Sequence, residues 1–489
     1  MTTLGLILLG VHFLLLLFLS FTGIHRLSLI FRWLKYRKNL SITEEKFQQL
    51  PKITVQVPLY NERFVARRVV DVMSAIDYPS ELLQIQIVDD SDDDTSDIIA
   101  ERVAFHRERG VNIEHVQREN RHGFKAGALA DAMGSASGEF IAIFDADFVP
   151  NPSVLYDTVH QFTNPKVAMV QLRWGHLNLN DSHLTRVQGV ALDAHFSLEQ
   201  WVRCTTGALF NFNGTAGVWR KAAIIDAGNW SADTLTEDLD LSYRAQLKGW
   251  QLRYLPHIEC PGELPADMNA FKSQQHRWAK GAIEVMRKLL GSVWRAPLSL
   301  GTKLESTFHL ANNMAYLVMM IDTVFLLVPS LLIRQHLDIG YTFWVDTPML
   351  LLSTGGHLAY FLFGQVVLGR SPWFAISKAP AMLLLGIQLS FNNARAAAEA
   401  LLNQRSPFVR TPKEGDGEST TGDNVKKRYR AVMPKGTAME LLLGVVYGGV
   451  LVWALAQQLW LALPFLLLLH IGFLSTAISS IRAAAQRVA

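Results

Sequence analysis

Two kinds of hydrophobic pattern divide this chain. Long apolar runs occupy residues 4–27, 308–333, 343–368 and 374–391, and a pair lies within 438–479, splitting near Gln457 and Gln458. The stretch between, residues 39–294, alternates short β-branched runs with segments of helical spacing. Runs at 53–58, 83–88, 112–116 and 140–144 predict strands, and 62–76, 95–109 and 125–136 predict the helices between them. Strands separated by helices of this length imply a largely parallel sheet with covering helices, an α/β arrangement that binds ligands at the C-terminal strand ends.

The apolar runs predict an α-helical membrane region. Residues 4–27 match the roughly 20 residues that span a bilayer. No basic segment precedes them and no small-residue cleavage site follows, which favours a retained span over a signal peptide. Arg26, Arg32, Lys35, Arg37 and Lys38 follow, placing the C-terminal end of this span in the cytosol. The segment 392–435 is rich in Lys and Arg and should be cytosolic too. Residues 374–391, a short run holding Pro380 and flanked by Lys378 and Arg395, are therefore expected to lie in the interface rather than cross. About five spans result, with 298–307 as a second interfacial helix. His309, Asn312, Asn313 and Asp322 fall near membrane depth and read either as the lining of a path or as helix–helix contacts. Residues 1–38 form an anchor, 39–296 a cytosolic domain, and 297–489 the remaining membrane region with a cytosolic loop at 395–436.

Charge and cysteine content change this picture little. The formal net charge is +3 and no basic block alternates with aromatics, so nucleic acid is excluded as the expected partner. Two cysteines allow no disulfide framework and no zinc spacing. Neither GxGxxG nor a P-loop motif is present.

Candidate chemistry falls at four places. Asp145-Ala146-Asp147 follows the run at 140–144; two carboxylates two residues apart suit Mg2+ or Mn2+ bridging a diphosphate. Asp89-Asp90 stands at another strand end, where carboxylates contact a base or ribose, and Asp92, Asp93 and Asp94 behind it read as caps for the next helix. Thr236-Glu237-Asp238 opens a helical run; Asp238 is placed to accept a proton from an acceptor hydroxyl, or serves only as a dipole partner. Gln274, Arg277 and Trp278 share one helix face, with an Arg fork suited to a diphosphate and a Trp face suited to a sugar ring.

In this order the four resemble the D, DxD, TED and QxxRW signature of processive family-two glycosyltransferases of GT-A fold. The strings QVPLYNE, GFKAGAL, IFDADFVP, FNGTAGVWR and QQHRW are most similar to the cellulose synthase-like A and C proteins. The resemblance implies a Rossmann-like GT-A domain and inverting, metal-dependent transfer of hexose from UDP-glucose or GDP-mannose to a growing β-1,4-glucan or (gluco)mannan, coupled to extrusion. It implies nucleotide-sugar contacts for Tyr60, Glu62, Asp89, Asp90, Lys125, Asp145, Gln274 and Arg277. Metal ligation falls to Asp145 and Asp147, catalysis to Asp238 with Glu237, and acceptor contacts to Phe212, Asn213, Gly214 and Trp278. Phe408, Thr411 and Lys413 are similar to the gating loop of bacterial cellulose synthase, with Arg410 departing from it, and Lys413 would reach the donor. Membrane lipids are the remaining partners, and the location would be a bacterial inner membrane or the Golgi. A transferase adding one sugar to diacylglycerol or ceramide is the alternative; a catalytically dead sugar-binding subunit is disfavoured by the complete motif set.

Overall fold

The computed structural model describes residues 3–39, 43–335, 339–404, 413, 415 and 433–488. Helix α1 (Thr3–Tyr36) leads into a seven-stranded sheet ordered β3-β2-β1-β4-β6-β5-β7. Its strands are β1 (Ile53–Leu59), β2 (Leu83–Asp89), β3 (Ile113–Gln117), β4 (Phe140–Ile143), β5 (Val167–His176), β6 (Gly217–Arg220) and β7 (Gln251–Gly262). The first four are parallel; β6 runs antiparallel to β4 and β5, and β7 is parallel to β5. The predicted strands and crossover helices α2 (Arg63–Ser74), α3 (Thr95–Arg107) and α4 (Phe124–Ala132) lie where the pattern places them.

Alternation along β1 explains how the sheet is layered. Ile53, Val55, Val57 and Leu59 pack on Val65, Val69 and Ile99 of α2 and α3. The intervening positions face the other way and carry a polar ladder. Thr54 donates to Gln84 at 2.8 Å, Gln56 to Gln86 at 2.9 Å, and Gln84 and Gln86 both donate to Glu114. An amide left unpaired at such a buried place would cost about 1–3 kcal/mol, so the ladder sets the register of β1, β2 and β3.

Next come α5 (Val154–Val159), α6 (His183–Ala194), a π-helical stretch His195–Gln200 and α7 (Trp201–Thr206). Helix α8 (Lys221–Asp226) follows β6, α9 (Glu237–Leu247) precedes β7, and α10 (Met268–Arg295) leaves it. Beyond lie α11 (Leu300–Ala311), α12 (Met314–Ile321), α13 (Leu327–Arg334), α14 (Ile339–Leu350), α15 (Gly356–Val367), α16 (Pro372–Leu401) and the helices Thr437–Ala456 and Leu463–Val488.

Among the described residues six helical segments are long and apolar enough to span a bilayer, making this an integral membrane protein. Five of them are tied to the domain at one end. Helix α1 meets the sheet domain at its C-terminal half, where Arg26 pairs with Glu199, and carries His12, 2.6 Å from Asp322, at the other end. The segment Met314–Arg334 runs outward to Arg334, paired with Asp346, from which Trp344–Val367 returns to Tyr360, bonded to Glu199. Thr437–Ala456 starts at Glu440, paired with Lys272 of α10, and Leu463–Val488 comes back to Ser480, whose carbonyl accepts from Asn269. Helix α16 has both ends on the domain. Arg370, just before it, pairs with Asp193, and Arg287 and Lys280 donate to the carbonyls of Ala400 and Gln404 at its end. Met382, Leu385 and Leu389 pack on α6 and α10 between these points. The helix is longer than the predicted run, 30 residues rather than 18, because its Ala-rich tail continues along α10. His309, Asn312 and Asp322 make inter-helix contacts, to Tyr243, Arg26 and His12.

Candidate active site

The C-terminal ends of β1, β2 and β4 open into a cavity of about 170 Å3 closed from the far side by α9 and α10. Tyr60, Glu62, Asp90, Lys125, Asp145, Asp147, Asn213, Gly214, Glu237, Asp238, Gln274, Arg277, Trp278 and Lys413 all line it. Segments separated by more than 200 residues thus meet in one place.

Each is positioned by identifiable contacts. The Asp145 amide donates to Thr215 Oγ1 at 2.8 Å, tying the turn after β4 to the loop before β6. Lys125, at the start of α4, donates to Asp145 Oδ1 at 2.5 Å and to the Gly214 carbonyl at 2.9 Å. Burial opposes its charge, but Asp145, Glu237 and Asp238 push the ammonium pKa up. Asp147 accepts from the Glu263 amide at 3.0 Å and from Lys413 at 2.6 Å.

Helix α10 is brought against α9 by a missing side chain. A Cβ on Gly281 would lie 2.5 Å from Thr236 Cγ2, so only glycine lets the two helices approach. Glu284 adds a carboxylate that accepts from the Leu235 amide at 2.8 Å. Arg277 then faces Glu237, Asp145, Asp238 and Glu62; desolvation pulls its pKa down and these carboxylates hold it up. Asp238 is the most perturbed carboxyl here. Burial, then the charge of Glu237, push it up to about 7, while the Leu239 amide and Lys125 act the other way. Gly214, in the left-handed region at φ +82°, would place a Cβ 3.1 Å from Asp238 Oδ2.

Two predicted contacts fall outside the cavity. Asp89 is 2% exposed and accepts from Ser96 and, at 2.9 Å, from His115. Burial would raise its pKa, and the bonds from His115, Ser91 and Ser96 hold it below the usual carboxylate range. It is a structural carboxylate, because adjacent residues at a strand end point to opposite faces and only Asp90 faces the cavity. Asp90 is held there by a bidentate pair with Arg118. Phe212 is fully buried and packs edge-on to Trp219 at 5.9 Å, so Asn213 and Gly214 reach the cavity and Phe212 holds the loop behind them. Phe408, Arg410 and Thr411 lie outside the described residues.

Among the lining residues that escaped the motif search are Arg121, Trp174, His176 and Glu263. Arg121 stacks over the Tyr60 ring, 3.3 Å from its centroid. Trp174 lies 6.3 Å from Trp278 between ring centroids, and His176 accompanies it at the end of β5. The aromatic residue Trp174 after a β-branched run was the one available signal.

The charges decide what the cavity can take. Seven carboxylates line it against four lysine and arginine side chains. A diphosphate entering so acidic a site would call for an added cation, and Asp145 and Asp147 could hold it. Among the described residues no group of three or more His, Cys, Asp or Glu forms a cage. Two carboxylates completed by substrate oxygens suit Mg2+ or Mn2+, and the lysines now against them mark where positive charge is favourable.

These features define a GT-A domain held on a helical membrane region. Residues 51–281 match the family model described as glycosyltransferase like family 2. Glucomannan 4-beta-mannosyltransferase 9 of Arabidopsis thaliana is 42% identical over 244 residues, covering 49% of this chain and 46% of the relative. Glucomannan 4-beta-mannosyltransferase 1 of Oryza sativa subsp. japonica is 42% identical over 253 residues, 50% of this chain and 48% of the relative. The chain spans about half the length of these curated relatives. A mannosyltransferase from Pyrobaculum calidifontis, solved in complex with GDP-Man and Mn2+, superposes with a TM-score of 0.52 at 18% identity, over 81% of this chain and 100% of that one; it supports the fold alone. Residues 51–281 thus form a domain of the glycosyltransferase family 2 type with a GT-A fold, similar to the matched part of the glucomannan 4-beta-mannosyltransferases.

Proposed function

We propose that this protein is a membrane-embedded inverting hexosyltransferase that extends a β-1,4-linked mannan or glucomannan, with GDP-mannose as its main donor. The observation that carries the reading is the convergence of Asp145, Asp147, Asp238, Arg277 and Trp278 on one cavity. The relatives' own activity, 4-beta-mannosyl transfer, points to mannose rather than glucose.

Asp238, as carboxylate, accepts the proton of the acceptor hydroxyl while that oxygen bonds the anomeric carbon. The bond from that carbon to the diphosphate breaks, its electron pair leaving on the nucleoside diphosphate, and the configuration inverts. Arg277 and Lys125 stabilise the charge developing on the leaving group. A divalent cation held by Asp145 and Asp147, Mg2+ or Mn2+, would supply further neutralisation there. Tyr60 with Arg121 forms the wall for the base, Gln274 lies beside the diphosphate region, and Trp278 offers its face to the acceptor sugar. Lys413, 2.6 Å from Asp147, would contact the donor. The basic flank of α1, Arg32 to Lys38, where Arg32 pairs with Glu305, supports a cytosolic domain.

The test is transfer by the purified protein in nanodiscs, given radiolabelled GDP-mannose or UDP-glucose with Mn2+ or Mg2+. Ethanol-insoluble label from GDP-mannose, released by β-mannanase, is expected. Label confined to the lipid extract would replace this reading with glycolipid synthesis.

A further inference from the structure

We propose that His195 is a positioning residue for the acceptor side of the reaction: its ring, with Nδ1 turned to Glu199 and Nε2 accepting from the Asn213 amide, fixes that amide, and the first membrane helix sets the ring's orientation through Glu199. The inference rests on the acceptor-side reading of Asn213 given above.

The chemistry follows from one backbone carbonyl. Gln200 Nε2 lies 3.1 Å from the Asn211 carbonyl, so this end of the Gln200 side chain is the N–H2 end. The same nitrogen donates to Asn213 Oδ1. Asn213 Nδ2 is thereby turned to His195 Nε2, 2.9 Å away. An N–H2 group facing that nitrogen requires it to be an acceptor, so the ring proton sits on Nδ1. Nδ1 is 3.1 Å from Glu199 Oε2, which takes that proton in a hydrogen bond. The π-helical turn makes the arrangement feasible, because i to i+5 spacing sets Gln200 beside His195 while Glu199 stays within reach.

Glu199 would not keep its charge alone in so buried a place. Burial pushes its pKa up, but Arg26, then Arg203 and His195, hold it well below the usual range. Arg26 comes from α1, and Tyr360 of α15 donates to Glu199 Oε1 at 2.8 Å. On the other side the Asn213 amide donates to Gln171 Oε1 at 2.9 Å, and Gly214 follows against Asp238 and Lys125. A continuous set of bonds thus runs from the first membrane helix to the residue beside the proton acceptor. None of its members outside the cavity has a role in the reaction proposed above.

The test compares His195→Leu with His195→Gln, whose amide oxygen can still accept from Asn213. Two readouts are taken in nanodiscs. The first is backbone hydrogen exchange of the segment 211–216, which needs no activity. His195→Leu is expected to speed exchange there and leave α9 unchanged, and His195→Gln to restore protection; equal protection in wild type and His195→Leu overturns the inference, whatever the wild type transfers. The second is kinetic. His195→Leu should lower kcat for acceptor transfer about 10- to 100-fold, with donor KM and donor hydrolysis by water within about twofold. Combined with Asn213→Ala it should add no further loss, because His195 acts through Asn213; multiplicative losses in the double variant overturn it. Wild-type protein that hydrolyses neither donor nor transfers sugar would sink the proposed function instead, leaving the exchange result to decide this inference.

Discussion

Replacing Asp238 with Asn gives two opposite effects whose sizes follow from its surroundings. The carboxyl is half-buried beside Glu237, and its partial burial and that neighbouring charge push its pKa up to about 7. Below that pH it carries a proton and cannot accept another, so wild-type transfer should fall about tenfold per unit on the acid side and level off above neutrality. Asn cannot accept a proton at any pH, and kcat should drop by about 10²–10⁴-fold. Stability moves the other way. Between pH 4 and 7 the folded protein retains a proton that the unfolded chain has released. The group's favourable contribution is therefore present at low pH and is lost as pH rises through 7. A shift of about three units corresponds to roughly 4 kcal/mol by the alkaline limit. Asn removes that cost, so the variant should melt higher than wild type at pH 8, with the gap closing toward pH 5. The assays are initial rates of GDP-mannose transfer and thermal melts in nanodiscs across pH 5.5–9. A variant keeping more than about a tenth of wild-type kcat would refute the proton-acceptor role. Equal melting temperatures at pH 8 would refute the raised carboxyl pKa.

Three further variants separate catalytic from structural roles. Gly214→Ala forces a Cβ into the left-handed region, 3.1 Å from Asp238 Oδ2 and 3.5 Å from Lys125 Nζ; kcat should fall about tenfold or more, and the melting temperature should reflect roughly 1–2 kcal/mol of backbone strain. Phe212→Ala should cost about 3–5 kcal/mol of stability, seen in denaturant melts, while the folded fraction keeps its acceptor KM, since the ring never reaches the cavity. Lys272→Met leaves Glu440 buried without its partner, both side chains being at most 1% exposed; a loss of about 3–5 kcal/mol is expected, with much of it recovered when Glu440→Leu is added.

What the sequence made readable was local. Strands β1 to β4 announce themselves because β-branched residues alternate and acids follow at the strand ends. Strands β5 and β7 do not: β7 carries Pro256 and Pro261, its pairing with β5 is irregular between Leu172 and Arg173, and such interruptions erase a period-two signal. The motif residues were identifiable by chemistry, yet Asp89 and Phe212 were placed in the site because motif spacing says nothing about which of two neighbours faces inward. Arg121, Trp174 and His176 reach the cavity through tertiary packing, which no spacing encodes. Helix α16 shows the opposite case. Hydropathy makes it a candidate span, while the charge of its flanks predicts an interfacial helix, and its ends are tied to the domain at Arg370 and Ala400.

The placement of α10 explains why membrane helices and transferase domain form one working unit. This helix carries Gln274, Arg277 and Trp278, and its position is set from both sides. At Gly281 it touches Thr236, two residues before Asp238, the proposed proton acceptor. One turn before the motif, Lys272 pairs with Glu440, its carbonyl accepts from Asn392 at 2.9 Å, and Asn269 donates to the Ser480 carbonyl. These partners belong to α16 and to the last two helices. Met268 and Phe271 complete the join by packing on Met382 and Leu385. The domain without its membrane helices would expose these apolar side chains and leave Lys272 buried in nothing, so the first turns of α10 would lose the contacts that aim Trp278. Tyr60, Asp90, Lys125, Asp145 and Asp147 hang on the sheet and its loops and would keep their places, whereas Gln274 and Arg277 of α10 would not. Acceptor contacts depend on α10 and on the His195 turn, both anchored in the membrane part. On the proposed reading the donor is thus held jointly by the sheet domain and α10, and the acceptor at the junction of that domain with the membrane helices.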